Sequence, residues 1–180
     1  MKKFIKWLFV ILIFLQAAVL IAGVVIFRMP LPDHDIDVSG LPLTDFVEVI
    51  RDERGIPHIY GTNVDDILFA QGYVHAQDRF WQLEFWSHLS TGRLASLIGE
   101  PGVGADLLFR TFGFNRVALE EYETLPPEFK QDLINYTNGI NAYIESRPQR
   151  SLSLEHFLLQ FINPDYEVDR YEPHYPLAWA

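Results

Sequence analysis

The stretch from Gly72 to Trp86, GYVHAQDRFWQLEFW, places polar and charged side chains among five aromatic residues. At about 100° per residue in a helix, the polar positions fall on one narrow stripe with apolar residues on both flanks. The stripe comprises Gln71, His75, Asp78 and Gln82. His75 and Asp78 have side chains that can act as metal ligands or as an acid–base pair. No third ligand or nucleophile stands out nearby, so neither a metal site nor a catalytic acid–base site is complete.

A structural interpretation of the same stripe is the one we favour. A helix that is apolar nearly all round is typical of a buried helix, and buried polar groups must be paired because an unpaired one costs a few kcal/mol. We therefore expect the polar residues to form an internal hydrogen-bond network. Its predicted members are Gln71, His75, Asp78, Arg79 and Gln82.

The element that carries the stripe is predicted as a helix from Asn63 to Leu89. Thr62 or Asn63 can cap its N-terminus, and acidic residues in its first turn are favoured by the helix dipole. A hairpin is predicted before it, with strands at 46–50 and 56–60 and a turn that ends at Gly55. Further helices are predicted at 93–98, 107–122, 128–145 and 154–161, and GEPGVGAD (99–106) is predicted as a loop. This order of elements indicates an α+β fold.

Composition narrows the classes of function. The chain has 180 residues and no cysteine, which excludes disulfides, thiolate zinc sites and a thiol nucleophile. Its net charge is −10, and residues 1–28 hold four basic and no acidic residues, so the remainder carries −14. A body this acidic repels nucleic acid, and no basic stripe with interleaved aromatic residues is present. We therefore expect no nucleic-acid partner.

The N-terminus has the pattern of a signal anchor. Three lysines precede Trp7–Phe27, an apolar run interrupted only by Gln16 and Gly23, and about 20 such residues span a bilayer. We predict an uncleaved transmembrane helix over 1–28, followed by a linker over 29–44 that contains three prolines. A long cleavable signal peptide is the alternative, because small residues occur at 22 and 23. With the lysines on the cytoplasmic side, the body is extracytoplasmic in both interpretations.

An extended, ordered set of motifs resembles the penicillin acylase family of N-terminal-nucleophile amidohydrolases. The longest is VIRDERGIPHIYGTNVDDILFAQGYVHAQDRFWQLEFW (49–86). GRLASLIG, Asp106 with Arg110, FGFNRVA, YTNGINAYI and EHFLL follow in order. Together they cover about residues 45–175.

The resemblance implies a fold and a mechanism. Members of the family have a four-layer αββα sandwich. They are exported as precursors that cleave themselves into an α chain and a β chain. The new N-terminal serine of the β chain is the nucleophile, and its own α-amine serves as the base. They hydrolyse the amide bonds of penicillins, acyl-homoserine lactones and related N-acyl compounds, and many bind a structural calcium.

Residue by residue, the resemblance covers only the front of the α chain. It implies a partial α-chain domain over 45–180, truncated at its C-terminus, whose partners are the rest of the α chain, the β chain and a small N-acyl substrate. No residue matches a catalytic position, no Gly-Ser processing junction is present, and no cofactor is expected in this segment, although calcium is plausible in the full-length protein. The alternative is a non-enzymatic, membrane-anchored remnant of a truncated acylase gene. Downstream sequence distinguishes the two.

Overall fold

A computed structural model of the chain describes residues 2–35 and 37–179. Its helices are α1 (Lys2–Arg28), α2 (Val64–Ser90), α3 (Leu94–Ile98), α4 (Val103–Phe112), α5 (Phe114–Thr124), α6 (Pro127–Glu145), α7 (Leu154–Ile162) and α8 (Tyr175–Trp179), and its strands are β1 (Glu48–Arg51) and β2 (Pro57–Tyr60). Short 3-10 turns occupy Glu100–Gly102 and Gln149–Ser151. Met1, Ile36 and Ala180, which fall in the predicted anchor, linker and acylase segment, lie outside the described residues.

The predicted hairpin is present. Strands β1 and β2 pair in antiparallel register from Glu48 opposite Tyr60 to Arg51 opposite Pro57. The carboxylate of Asp52 accepts backbone N–H bonds from Arg54 and Ile56, at 2.8 and 2.9 Å. Gly55 completes the turn with φ +77, a conformation that glycine adopts without steric cost.

The predicted cap of α2 is also present. Asn63 accepts a hydrogen bond from the backbone N–H of Asp66 at 2.9 Å, which satisfies one of the free donors of the first turn. The carboxylate of Asp66 in turn accepts the backbone N–H groups of Thr44 and Asp45, at 3.0 and 2.8 Å. This pair of bonds fixes the segment before β1 against the start of α2. The helix departs from helical geometry at Arg79 (φ −141, ψ 31).

Helices α2 and α6 form the main helix–helix packing of the body, and two glycines allow their backbones to meet. A Cβ at Gly72 would overlap the carbonyl oxygen of Tyr136, and a Cβ at Gly139 would overlap that of Phe69. The core beside this contact contains Ala76, Phe80, Ile140, Tyr143, Leu152, Tyr171 and Tyr175.

A second apolar cluster surrounds α3 and contains Leu94, Leu97 and Leu159. In the segment that follows α3, the structure differs from two of the predictions. The predicted loop at 99–106 is wrong in part, because Glu100–Gly102 form a 3-10 turn and α4 begins at Val103. Gly102 packs against the backbone of α3, where a side chain would collide. The single helix predicted over 107–122 is two helices, because Gly113 takes a left-handed conformation (φ 76, ψ 26) between α4 and α5.

Helix α1 has the length and composition of a membrane span. An 18-residue window within Lys3–Arg28 has a mean hydropathy of 3.0, and none of that window is buried in the body. A signal sequence near an N-terminus passes the same test. The helix is therefore compatible with both the anchor and the cleaved alternative.

Candidate functional site

The predicted polar stripe on α2 is not buried in this chain. His75, Asp78, Arg79 and Gln82 are exposed, and Gln71 is half-buried. Helix α6 packs on another face of α2, the one that carries Gly72 and Ala76. No hydrogen bond joins the five to one another in the part of the chain that the structure describes. A role of these residues in binding further protein elements stays a prediction.

Two residues of the stripe instead bind partners outside it. His75 Nδ1 lies 2.9 Å from the hydroxyl of Tyr136 on α6. Asp78 accepts two hydrogen bonds from the guanidinium of Arg51 on β1, at 2.8 and 2.9 Å. Arg51 also donates to Gln77 Oε1 at 2.8 Å and to the carbonyl of Gly55 at 3.1 Å. A carboxylate bound in this bidentate way positions the hairpin on α2.

The buried polar groups of α2 lie toward its C-terminal end. Glu84 and His88 are 3% and 2% exposed. The hydroxyl of Tyr166, from the connection after α7, bonds to Glu84 Oε1 and lies 3.3 Å from His88 Nε2. His88 Nδ1 lies 2.9 Å from the backbone carbonyl of Glu84. Three titratable side chains thus meet here, with Glu84 and His88 buried and Tyr166 half-buried.

His156 lies at the edge of this cluster and is fully buried. Its Nδ1 lies 3.0 Å from the hydroxyl of Ser153, and its ring packs on Phe80 and Trp81 with centroid distances of 5.0 and 5.6 Å. Its Nε2 has no hydrogen-bond partner among the described residues. Ser153 also caps α7 by accepting the backbone N–H of His156 at 3.2 Å, so this Ser–His pair has a structural role.

Burial sets the protonation states of the cluster. Burial raises the pKa of Glu84 to about 7, although the hydrogen bond from Tyr166 opposes the shift. Burial lowers the pKa of His88 and lowers the pKa of His156 to about 4. Burial and the neighbouring Glu84 raise the pKa of Tyr166. Near neutral pH the histidines are therefore neutral and Tyr166 keeps its proton, while Glu84 is divided between its two forms.

The cluster of Glu84, His88 and Tyr166 was not predicted from the sequence. Glu84 and His88 are four residues apart and therefore share a face of α2, which was a usable signal. Tyr166 is 82 residues from Glu84 in a connection without periodicity, so only the tertiary structure brings it there. Across residues 2–35 and 37–179, no group of three or more His, Cys, Asp or Glu side chains is placed to hold a metal ion.

The body is therefore a helix-rich α+β unit built around one hairpin and the α2–α6 pair. Its fold is similar to that of a thermostable penicillin G acylase from Alcaligenes faecalis, with a TM-score of 0.60, 23% sequence identity, and coverage of 74% of this chain and 70% of that one. At this identity the similarity concerns the fold alone.

Sequence comparison identifies the family. The family model described as penicillin amidase matches residues 46–180, and the chain belongs to that family. It is 36% identical over 132 residues to penicillin acylase 2 proenzyme of Pseudomonas sp. (strain SE83) and 36% identical over 102 residues to acyl-homoserine lactone acylase QuiP of Pseudomonas putida. These matches cover 73% and 57% of this chain. The chain spans 16% and 12% of the length of these two relatives.

Proposed function

We propose that this chain forms the front of the α chain of an exported amidohydrolase that cleaves the amide bond of N-acyl compounds. The observation that carries the proposal is the family match over residues 46–180, which includes the hairpin and every helix of the body. The relatives are named for penicillins and for acyl-homoserine lactones. These two substrate classes share an acyl group joined to an amine through an amide bond.

The role that we assign to these residues is that of a scaffold. Arg51 and Asp78 hold the hairpin on α2, and the glycine contact holds α2 on α6. The nucleophilic serine, its amine base, the oxyanion donors and any calcium ligands would come from protein outside this chain. That one relative is a proenzyme supports a precursor that is processed into two chains.

We assign the body to the extracytoplasmic side of a membrane, with α1 as its anchor. The length and hydropathy of Lys3–Arg28 support this assignment, as do the three lysines that precede the apolar run. An acylase held in this position would meet its acylated substrates outside the cytoplasm.

A second candidate function is that of a membrane-anchored remnant with no activity of its own. This candidate applies if the 16% of the proenzyme's length that the chain spans is all that the gene encodes. A remnant of this kind would keep the anchor and the helical scaffold but would lack the catalytic groups.

One experiment distinguishes the two candidates. The complete gene, including whatever follows codon 180, is expressed with its N-terminus intact, and the product is assayed for amine release from penicillin G and from a long-chain acyl-homoserine lactone. The enzyme proposal predicts turnover, together with a second polypeptide whose mass-spectrometric N-terminus is a serine. A stop codon after residue 180 and no turnover would establish the remnant instead.

A further inference from the structure

The connection from Asn163 to His174, called the strap here, is fastened to the helical body by polar contacts along its length. Gln149 binds it twice, donating to the carbonyl of Tyr166 at 2.8 Å and accepting the N–H of Val168 at 3.1 Å. The side chain of Asn141 accepts the N–H of Tyr171 at 2.7 Å and donates to its carbonyl at 3.0 Å. The strap leads directly into α8, so its position determines where α8 begins.

The donors and acceptors in the Glu84 cluster can be assigned from the geometry. His88 Nδ1 faces the backbone carbonyl of Glu84 at 2.9 Å, and because a carbonyl only accepts, this nitrogen carries the proton. In a neutral imidazole the other nitrogen, Nε2, is then an acceptor. Tyr166 has one hydroxyl proton and lies within reach of both Nε2 and the Glu84 carboxyl group.

The two contacts of the Tyr166 hydroxyl, to Glu84 and to His88 Nε2, are both hydrogen bonds only when Glu84 is protonated. The carboxylic acid then donates to the oxygen of Tyr166, Tyr166 donates to His88 Nε2, and His88 Nδ1 donates to the backbone carbonyl of Glu84. When Glu84 is ionised, Tyr166 donates to the carboxylate and His88 Nε2 loses its donor. The ionised form also buries a charge, which is unfavourable.

We propose that Glu84, Tyr166 and His88 form a protonation-controlled latch, which holds the strap on α2 when Glu84 carries a proton and loosens it when Glu84 is ionised. The two charged neighbours act in opposite directions, and burial is the largest influence on the pKa of Glu84. The carboxylate of Asp169, on the strap, further raises the pKa of Glu84, and Arg93 lowers it. Arg93 is itself bound to Asp169 at 2.8 Å and to the hydroxyl of Tyr175 at 2.6 Å.

The remaining titratable groups around the latch do not supply a compensating charge. Asp106 of α4 is bound to the backbone N–H groups of Leu94 and Ala95, at 2.6 and 2.9 Å. His156 of α7 is neutral near pH 7 because burial lowers its pKa to about 4. Burial raises the pKa of Tyr171 and Tyr175, so both stay uncharged. Since burial raises the pKa of Glu84 to about 7, the latch responds in the neutral range.

Hydrogen–deuterium exchange of the complete gene product in detergent tests the latch. Peptides from residues 163–174 are followed from about pH 5.5 to about pH 8.5, with the intrinsic pH dependence of exchange removed. We expect protection of the strap to fall about tenfold across this range. A tenfold change corresponds to a pKa of Glu84 that is one unit higher with the strap docked than with the strap released. In Glu84→Gln the neutral amide can donate to Tyr166 at every pH, so the strap should stay protected throughout.

Two further variants and one measurement on the unmodified protein complete the test. Tyr166→Phe should leave the strap weakly protected at both ends of the range, whereas Glu167→Gln, at an exposed neighbour, should behave as the wild type. Infrared spectroscopy of the wild type should show a protonated carboxylic acid band that titrates near neutral pH. This band tests the latch even if Glu84→Gln fails to fold. Protection that does not change with pH, a pH step that survives in Glu84→Gln, or no titrating band would overturn the proposal.

Discussion

The guanidinium of Arg51 donates to both carboxylate oxygens of Asp78, at 2.8 and 2.9 Å. The two residues are 27 positions apart, one at the end of β1 and the other near the middle of α2. Their side chains are 15% and 26% exposed, so solvent only partly screens the pair. A two-stranded hairpin is marginally stable alone, and this contact is therefore a principal link between the hairpin and the helical body.

Breaking this pair should destabilise the protein without changing the choice of substrate. We expect Asp78→Ala to lower the free energy of unfolding by about 1–3 kcal/mol, because it removes a bidentate, charge-assisted contact and leaves Arg51 without its carboxylate partner. A double-mutant cycle with Arg51→Ala, followed by thermal or denaturant unfolding, measures the coupling directly. If Asp78→Ala keeps its stability but loses turnover in the complete enzyme, Asp78 is a site residue and the structural interpretation is wrong.

The contact of α2 with α6 should tolerate no side chain at its two glycines. Gly72→Ala and Gly139→Ala place a methyl group on a backbone carbonyl of the opposite helix, and we expect a loss of about 3 kcal/mol or more for each because the backbones must separate. Gly104→Ala is the matched control, since Gly104 is also helical and a Cβ there meets nothing within 4 Å. It should be neutral or slightly stabilising. Equal melting temperatures for all three variants would contradict the close approach.

Local signals predicted the hairpin and the start of α2, whereas tertiary contacts decided the rest. Gly55 and Asn63 act within a few residues of their own positions, so the sequence sufficed for the turn and the cap. The apolar positions of α2 occur on several faces, so its periodicity could not show which face α6 would cover. The face that α6 covers is the one where Gly72 lies against a backbone carbonyl of α6. The exposed polar stripe is a consequence of which face α6 covers.

Between about pH 4.5 and about pH 6.5, the free energy of unfolding should rise less steeply with pH in the wild type than in Glu84→Gln. Burial raises the pKa of Glu84 from 4.5 to about 7, so its stabilising contribution is full below pH 4.5 and is lost as the pH rises through 7. Burial lowers the pKa of His156 from 6.5 to about 4, so its contribution is full above pH 6.5 and is lost as the pH falls through 4. Each contributes about 1.4 kcal/mol per pH unit, with opposite sign.

Glu84→Gln removes one of these two contributions. The free energy of unfolding of the variant should then rise with pH from about 4 to about 6.5, by about 3 kcal/mol in total. Denaturant titrations at several pH values measure the slope, and Glu167→Gln, at an exposed position, serves as the control that should follow the wild type. A slope in Glu84→Gln that matches the wild type would show that Glu84 titrates normally in the folded protein.

Helix α1 should remain attached to the mature protein. Its apolar length is sufficient to span a bilayer, and large residues follow Gly23 where a signal peptidase requires small ones. Mass spectrometry of membrane-bound material should therefore find the N-terminal lysines, and a variant without residues 1–28 should leave the membrane fraction. A mature N-terminus within residues 23–30 would instead identify a cleaved signal peptide.

Residues 1–180 expressed alone should hydrolyse no amide. The reaction requires a nucleophile, a base and oxyanion donors within hydrogen-bond reach of one substrate, and no such set is assembled among the described residues. The isolated chain should also aggregate or fluctuate, because the hairpin pairs with no further strand among the described residues. Phe46, just before β1, and Ile50, within it, are 79% and 49% exposed. The purified chain is assayed against phenylacetyl and long-acyl amides, with circular dichroism and thermal melting in parallel. Supplying the downstream sequence should restore a cooperative transition. Two results would contradict the proposal that the catalytic groups come from outside residues 1–180. One is turnover that follows the isolated chain through purification, and the other is a cooperative melt without the downstream sequence.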